Sequence, residues 1–295
     1  MGKALKLGDI DISIVTEYVT VFEKLEKFLP DLKPEMLQQQ RHWLEPRFLD
    51  PATGRSIFSF HLYVLRTAHH TVLIDTCVGN HKPRKSFDHW HMRNTPVLDY
   101  LATVGVRPED VDYVMCTHLH ADHVGWNTVW TGTQWEPTFP RAKYVFAKKE
   151  WEALQTRIQA GKKLYDDGCY EDSILPIVEA GQALLVDDDF NLDDNIWIEP
   201  SPGHSPGHVC FHVESRQASG LLTGDMIHHP IQVTYPDLAT AFCQDKKLST
   251  HTRRRFIEQY ADTGTLILPA HFPDPTVGYL RAGPANFLFD FLDEL

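Results

Sequence analysis

Residues 117 to 123 read THLHADH and follow directly on the apolar run VDYVMCT at 111–117. A nearly continuous apolar run of that length reads as a buried strand, so the histidines emerge where an element held in a core comes to its end. In extended backbone, residues two apart project to the same side, which lets His118 and His120 converge on one cation. A turn at Ala121 then swings Asp122 and His123 toward a second ion close by. Such a run asks for a sheet whose strand ends carry the chemistry.

The remaining pattern supplies that sheet. Alternating or continuous apolar runs predict strands at 10–15, 58–67, 71–76, 111–117 and 143–147, with helical periodicity at 95–105 and 148–161. After residue 180 the pattern returns, with strands at 183–187, 196–200, 208–214, 220–225 and 265–271 and a helix at 249–262 before the last. Two batches of strands, each with helices, predict an α/β fold in which two sheets pack face to face under outer helices. No repeat, low-complexity tract or flexible linker divides the chain, so residues 1–295 read as one domain. Segment 17–50 fits least and reads as a helical and irregular excursion. Its apolar side chains, among them Val19, Val21, Phe22 and Phe28, need something to cover: a homodimer partner or a substrate cleft.

Composition narrows the partners. A net charge of −12 opposes nucleic-acid binding, which needs a surplus of Lys and Arg on one face. Arg253, Arg254 and Arg255 read as the solvated face of the 249–262 helix. Five widely spaced cysteines without a C-x-x-C pair indicate neither a disulfide framework nor a thiolate zinc site. There is no apolar stretch of about 20 residues and no signal-peptide pattern, so the expected setting is cytoplasmic, with no membrane partner.

Other strand ends offer further ligands. SPGHSPGHV (201–209) places His204 and His208 in a Pro/Gly turn leading into a strand, LLTGDMIHHP (221–230) ends a strand with Asp225, and LILPAHFP (266–273) ends one with His271. Together THLHADH, SPGHSPGH, TGD and PAH resemble the metallo-β-lactamase superfamily of hydrolases. That resemblance implies a four-layer αββα sandwich with a dinuclear metal site at one edge. It assigns His118, His120 and His208 to one metal, Asp122, His123 and His271 to the other, and Asp225 to both. It also places His204 in a supporting role and Asp75 beneath the ligands, orienting them.

Imidazole and carboxylate donors without thiolate suit two Zn²⁺ ions and also admit Mn²⁺, Fe²⁺ or Co²⁺. Two cations about 3.5 to 4 Å apart lower the pKa of a shared water toward about 7, giving hydroxide as the nucleophile. Asp225 can accept or relay the proton, so Asp122, Asp225 and His228 are the candidate catalytic residues. His120 stands where the redox di-iron branch has glutamate, which disfavours oxygen reduction. The strings LIDTCVGN, HADHVGWN, GDMIHHPIQ and PAHFPDPTVG resemble the branch containing N-acyl homoserine lactone lactonases, 4-pyridoxolactonase and methyl parathion hydrolase. In several lactonases a substrate-contacting tyrosine occupies the position of His228, whose imidazole either donates a similar hydrogen bond or only packs. The expected activity is hydrolysis of a small ester, foremost a lactone. Alternatives are an organophosphate triester or aryl ester, a thioester as in glyoxalases, a β-lactam, or metal binding without catalysis. Trp126 and Phe28 are candidate walls for the apolar part of the substrate, with core packing as the plainer alternative. His89 and His91 imitate a ligand pair but sit in an irregular basic stretch and read as surface, and His69 and His70 read as a hairpin turn.

Overall fold

The computed structural model describes residues 3–161 and 167–292. They form two compact units, Met1–Tyr18 with Phe60–Phe190 and Val19–Ser59 with Asn191–Leu295.

In chain order the strands of the first sheet are β1 (Lys3–Leu7), β2 (Ile10–Lys24), β3 (Arg55–Arg66), β4 (Thr71–Ile74) and β5 (Tyr113–Met115). A separate hairpin, β6 (Thr128–Trp130) and β7 (Trp135–Pro137), precedes β8 (Lys143–Ala147) and β9 (Ala183–Val186). The sheet order is β1-β2-β3-β4-β5-β8-β9. From β4 to β9 the pairing is parallel. Strands of parallel sheets are covered on both faces, which is why TVLI and KYVFA read as unbroken apolar runs. Because β4 and β5 run side by side, Ile74 against Met115, their continuations leave the sheet together, and Asp75 N–H donates to the Met115 carbonyl at 3.0 Å. Asp75 and the His-rich run thus start from neighbouring strand ends.

Strand β2 runs to Lys24, nine residues beyond the end expected from the sequence, so residues 17–24 of segment 17–50 are strand. Alternation fails there because Glu17 is buried while Val19 and Val21, two and four residues on, are exposed. Two short helices, Leu25–Phe28 and Pro34–Leu44, follow in the second unit. The 67–70 turn closes β3 onto β4, with Thr67 N–H bonded to the His70 carbonyl, as the sequence suggested.

The second sheet belongs wholly to the second unit: β10 (Asn191–Asp193), β11 (Ile196–Pro200), β12 (Val209–Ser215), β13 (Ala218–Gly224), β14 (Leu266–Pro269), β15 (Gly278–Ala282) and β16 (Phe287–Phe291), hydrogen-bonded in that order. All pairs are antiparallel except β13 with β14. A parallel pair needs a crossover, and the helix Lys246–Tyr260 supplies it. Asp245 caps that helix by accepting the Leu248 N–H at 2.9 Å, and the helix starts at Lys246, three residues before the start read from the sequence.

Arg253 overturns one expectation. It is fully buried rather than solvated: Nε donates to the Met226 carbonyl at 2.8 Å, Nη1 to the carbonyls of Pro236 and Leu238 at 2.8 and 2.9 Å, and Nη2 to Ser249 Oγ at 3.0 Å. A guanidinium presents five donors in a fixed fork, and this one ties the irregular segment after Asp225 to the crossover helix. All five cysteines are free and buried. Among the described residues no helix is long and apolar enough to cross a membrane.

Candidate metal centre

In the first unit the ligand run leaves β5 through Thr117 and turns at the short helix Ala121–Val124. Asp75 sits at the end of β4 with φ of 56°. Its carboxylate accepts the Thr117 N–H at 2.8 Å, the Thr117 hydroxyl at 2.9 Å, and lies 2.8 Å from His123 Nδ1. Asp75 therefore grips both ends of the run and fixes the orientation of the His123 ring, leaving Nε2 directed away, 3.7 Å from Asp122 Oδ2. His118 Nε2 and His120 Nδ1 approach to 2.9 Å, as two-apart spacing in extended backbone demands, and the His118 and His123 ring centres lie 4.1 Å apart.

The turn is zipped to the loop after β4. Thr76 N–H bonds the His123 carbonyl at 2.7 Å, Gly125 N–H bonds the Cys77 carbonyl at 2.8 Å, and Trp126 N–H bonds the Thr76 carbonyl at 2.8 Å. The two backbones meet so closely that a Cβ on Gly125 would stand 1.9 Å from the Val78 carbonyl oxygen. Trp126 is buried, and its indole N–H donates to Glu17 Oε1 at 2.9 Å. His91 Nδ1 accepts the Arg84 N–H at 3.1 Å and the His89 carbonyl accepts from the Tyr18 hydroxyl at 3.2 Å, which accounts for both histidines structurally.

In the second unit the centre is Asp225, at the end of β13. Three imidazole nitrogens surround its carboxylate: His271 Nε2 lies 2.9 Å from Oδ1, and His228 Nε2 and His204 Nε2 lie 3.1 and 3.2 Å from Oδ2. His208 does not reach the carboxylate in this way. Its Nδ1 lies 2.8 Å from Ser201 Oγ and its Nε2 accepts the backbone N–H of Asp225 at 3.0 Å. The roles assigned from the sequence are therefore exchanged: His204 presents a nitrogen to Asp225, and His208 braces the backbone from behind. The physical reason is register, since His208 directly precedes β12 and pairs its carbonyl with Ser201 N–H at 2.8 Å, while His204 stands at the open tip of the Pro/Gly turn.

His228 and His229 hang from one side chain, Gln232, whose Oε1 accepts both backbone N–H groups at 2.9 and 3.1 Å. Burial lowers the pKa of His228, opposed by the Asp225 carboxylate. Burial likewise holds His229 down to about 4, against a contact with the Phe48 carbonyl. Phe28 is buried with its ring edge-on to His228 at 5.6 Å and to Phe58 at 4.9 Å, while Phe58 stacks on His271 at 5.6 Å. Phe242, exposed, lies 5.8 Å from Phe28.

Glu17, Ser201 and Gln232 were not singled out in the sequence. Ser201 opens the very motif that carries the histidines, and Glu17 is an acid inside an apolar strand. Gln232 gives no sequence signal at all. The donor sets fit divalent cations: imidazole nitrogens and carboxylate oxygens, buried except for the half-buried His120 and Asp122, and turned toward one another within each unit, are the groups that such ions take.

The metallo-β-lactamase superfamily model matches residues 61–281. An N-acyl homoserine lactonase of Bacillus thuringiensis is 26% identical over 126 residues, 43% of this chain and 42% of the relative. The chain thus matches less than half the length of such curated relatives. Two solved structures share the fold over nearly the whole chain. AidC, described as a dizinc quorum-quenching lactonase in complex with a product, has a TM-score of 0.77 at 21% identity, covering 98% of this chain and 96% of its own. The hydrolase AbOPH has a TM-score of 0.79 at 22% identity, covering 99% and 97%. The α/β fold expected from the motifs is the one found, and the chain belongs to the metallo-β-lactamase superfamily.

Proposed function

We propose that this chain is a metal-dependent hydrolase of small esters, with lactones as its substrates and two divalent ions, Zn²⁺ foremost, as its cofactors. The observation that carries this is Asp225, whose carboxylate is met by His204, His228 and His271 at 2.9 to 3.2 Å. Family membership supports reading the ligands of both units as serving one dinuclear centre in a single catalytic domain. His118, His120, His204 and Asp225 would hold one ion, and Asp122, His123 and His271 the other. Such ions polarise an ester carbonyl and bring a water molecule to nucleophilic strength near neutral pH.

The chain's own residues do the rest. When water adds to the carbonyl carbon and the ring C–O bond breaks, a proton must travel from the water to the departing alkoxide. Asp225 is the carboxylate placed to take it up. His228, with Nε2 3.1 Å from Asp225 Oδ2, is placed to pass it on. Asp75 and Thr117 keep the His123 ring from rotating, and Ser201 does the same for His208.

The test is metal analysis of purified protein followed by a hydrolysis panel of acyl homoserine lactones, aryl esters, phosphotriesters and thioesters on chelator-stripped and metal-restored samples. Two ions per chain and metal-restored lactone opening support the proposal. Failure to bind a transition metal, or a preference for phosphotriesters or thioesters over every lactone, overturns it.

A further inference from the structure

Glu17 is a buried acid on β2 for which the hydrolytic steps above have no use. It is 4% exposed, and its carboxylate collects three donors from three separate segments. Thr95 Oγ1 and Trp126 Nε1 donate to Oε1 at 2.7 and 2.9 Å, and the backbone N–H of Val78 donates to Oε2 at 2.9 Å. Two of those donors belong to the segments zipped together around the ligands: Val78 continues the loop that leaves Asp75, and Trp126 stands three residues after His123. The strand thus clamps the loop and the ligand turn to one point.

The Cys77 thiol is pushed well up by burial and then by the carboxylates of Glu17, Asp75 and Asp122, so the three acids act on one buried sulfur. Burial is the largest influence on Glu17 and raises its pKa, while its three donors and Arg93 pull the other way.

We propose that Glu17 is a positioning residue of the metal centre, holding the turn that bears Asp122 and His123 through Trp126 and Val78. This rests on the metal-hydrolase reading. A carboxylate that orients ligand-bearing groups from outside the coordination shell typically governs metal affinity by about tenfold to a hundredfold.

The experiment is a Co²⁺ and Zn²⁺ titration of the whole chain, by chelator competition and by the visible absorption of bound Co²⁺, on wild type, Glu17→Gln, Trp126→Phe and the double variant. Melting temperature is recorded alongside. Glu17→Gln keeps the shape and replaces one of the two accepting oxygens with a donor; Trp126→Phe keeps a ring and removes only the indole donor. The expected result is that one of the two ions weakens about tenfold or more in Glu17→Gln. It weakens less in Trp126→Phe, and the double variant loses less than the sum because both changes break one contact. Wild-type affinity for both ions in the two single variants, whatever their melting temperatures, overturns the proposal and leaves Glu17 a fold brace. If Glu17→Gln does not fold, Trp126→Phe decides by the same criterion. A wild-type chain that takes up no metal overturns the hydrolase reading itself, an outcome read from the unsubstituted protein alone.

Discussion

Asp225 meets His208 through its main chain and His204 through its side chain: its N–H donates to His208 Nε2 at 3.0 Å, while its Oδ2 lies 3.2 Å from His204 Nε2. The two histidines of one motif therefore make different predictions. His208→Ala takes the imidazole acceptor from the buried Asp225 N–H and one of several contacts from the Ser201 hydroxyl, at a cost of about 1–3 kcal/mol in stability, with a loss of activity of about tenfold to a hundredfold. His204→Ala leaves the fold nearly as stable but removes a ligand, so metal content and kcat/KM fall further than in His208→Ala. Metal analysis, thermal melts and steady-state kinetics on the two variants check the order; the reverse order restores the ligand to His208.

Lys82 predicts an unusual pH dependence. It is fully buried, with Nζ bonded to Thr128 Oγ1 at 2.8 Å and the Asp172 carbonyl at 3.0 Å, and lies 3.8 Å from the centre of the Trp135 ring. Burial lowers its pKa from 10.5 to about 8, only partly opposed by Asp172. Between those values the unfolded chain binds more protons than the folded one, so this group makes stability rise as pH rises through the window. The full contribution is about 3 kcal/mol by the usual conversion of pKa into free energy. Urea unfolding at pH 7.5, 8.5 and 9.5 on wild type and Lys82→Met measures it: the wild type should gain relative to the variant as pH increases, and parallel curves would remove the effect.

Arg253 spends its donors on three carbonyls and a hydroxyl. Arg253→Leu takes the side-chain donor from the buried Met226 and Pro236 carbonyls, while Leu238 keeps Gln232 and Ser249 keeps Cys243, and should cost about 3 kcal/mol. Arg253→Lys recovers little of it, because a single ammonium cannot span the guanidinium's fork. Since the Met226 carbonyl adjoins Asp225, both variants should also lower kcat, which separates them from a remote core defect; denaturant melts with kinetics below the transition decide.

Phe28 touches Phe22, Phe58, Phe242 and His228. Phe28→Ala should cost about 3–5 kcal/mol from the cavity alone. If the ring edge also borders the substrate, the milder Phe28→Leu raises KM for long acyl chains more than for short ones at unchanged metal content. An unaltered chain-length profile in Phe28→Leu assigns the residue to the core.

Much of this was legible in the sequence because buried strands announce themselves as apolar runs and the candidate ligands follow at their ends: 143–147, among the parallel strands of the first sheet, and 196–200, antiparallel in the second, were read to the residue. Strands were missed where the pattern is short, inverted or open to solvent. In β2 the buried Glu17 inverts the alternation, β10 is three residues long, and β15 and β16 leave much of their surface open. The choice between His204 and His208 depended on which of two similar residues adjoins the strand, a matter of register that spacing does not encode. Arg253 looked solvated because its two arginine neighbours are, and only the carbonyls of a distant irregular segment draw it inward.

The contact between Gly125 and Val78 sets how the protein can diversify. With backbone against backbone and no room for even a methyl group, the step that follows Asp122 and His123 tolerates one residue type, while the hairpin immediately after it carries the exposed Trp130 and the half-exposed Trp135. A library can therefore vary Trp130 and the exposed turn 131–134 while keeping Thr128 and Trp135, which pack on Lys82, and should return glycine at 125 from every folded clone. The freedom to vary lies a few residues downstream of the His-rich run, and almost none lies at the step that joins that run to the loop after β4.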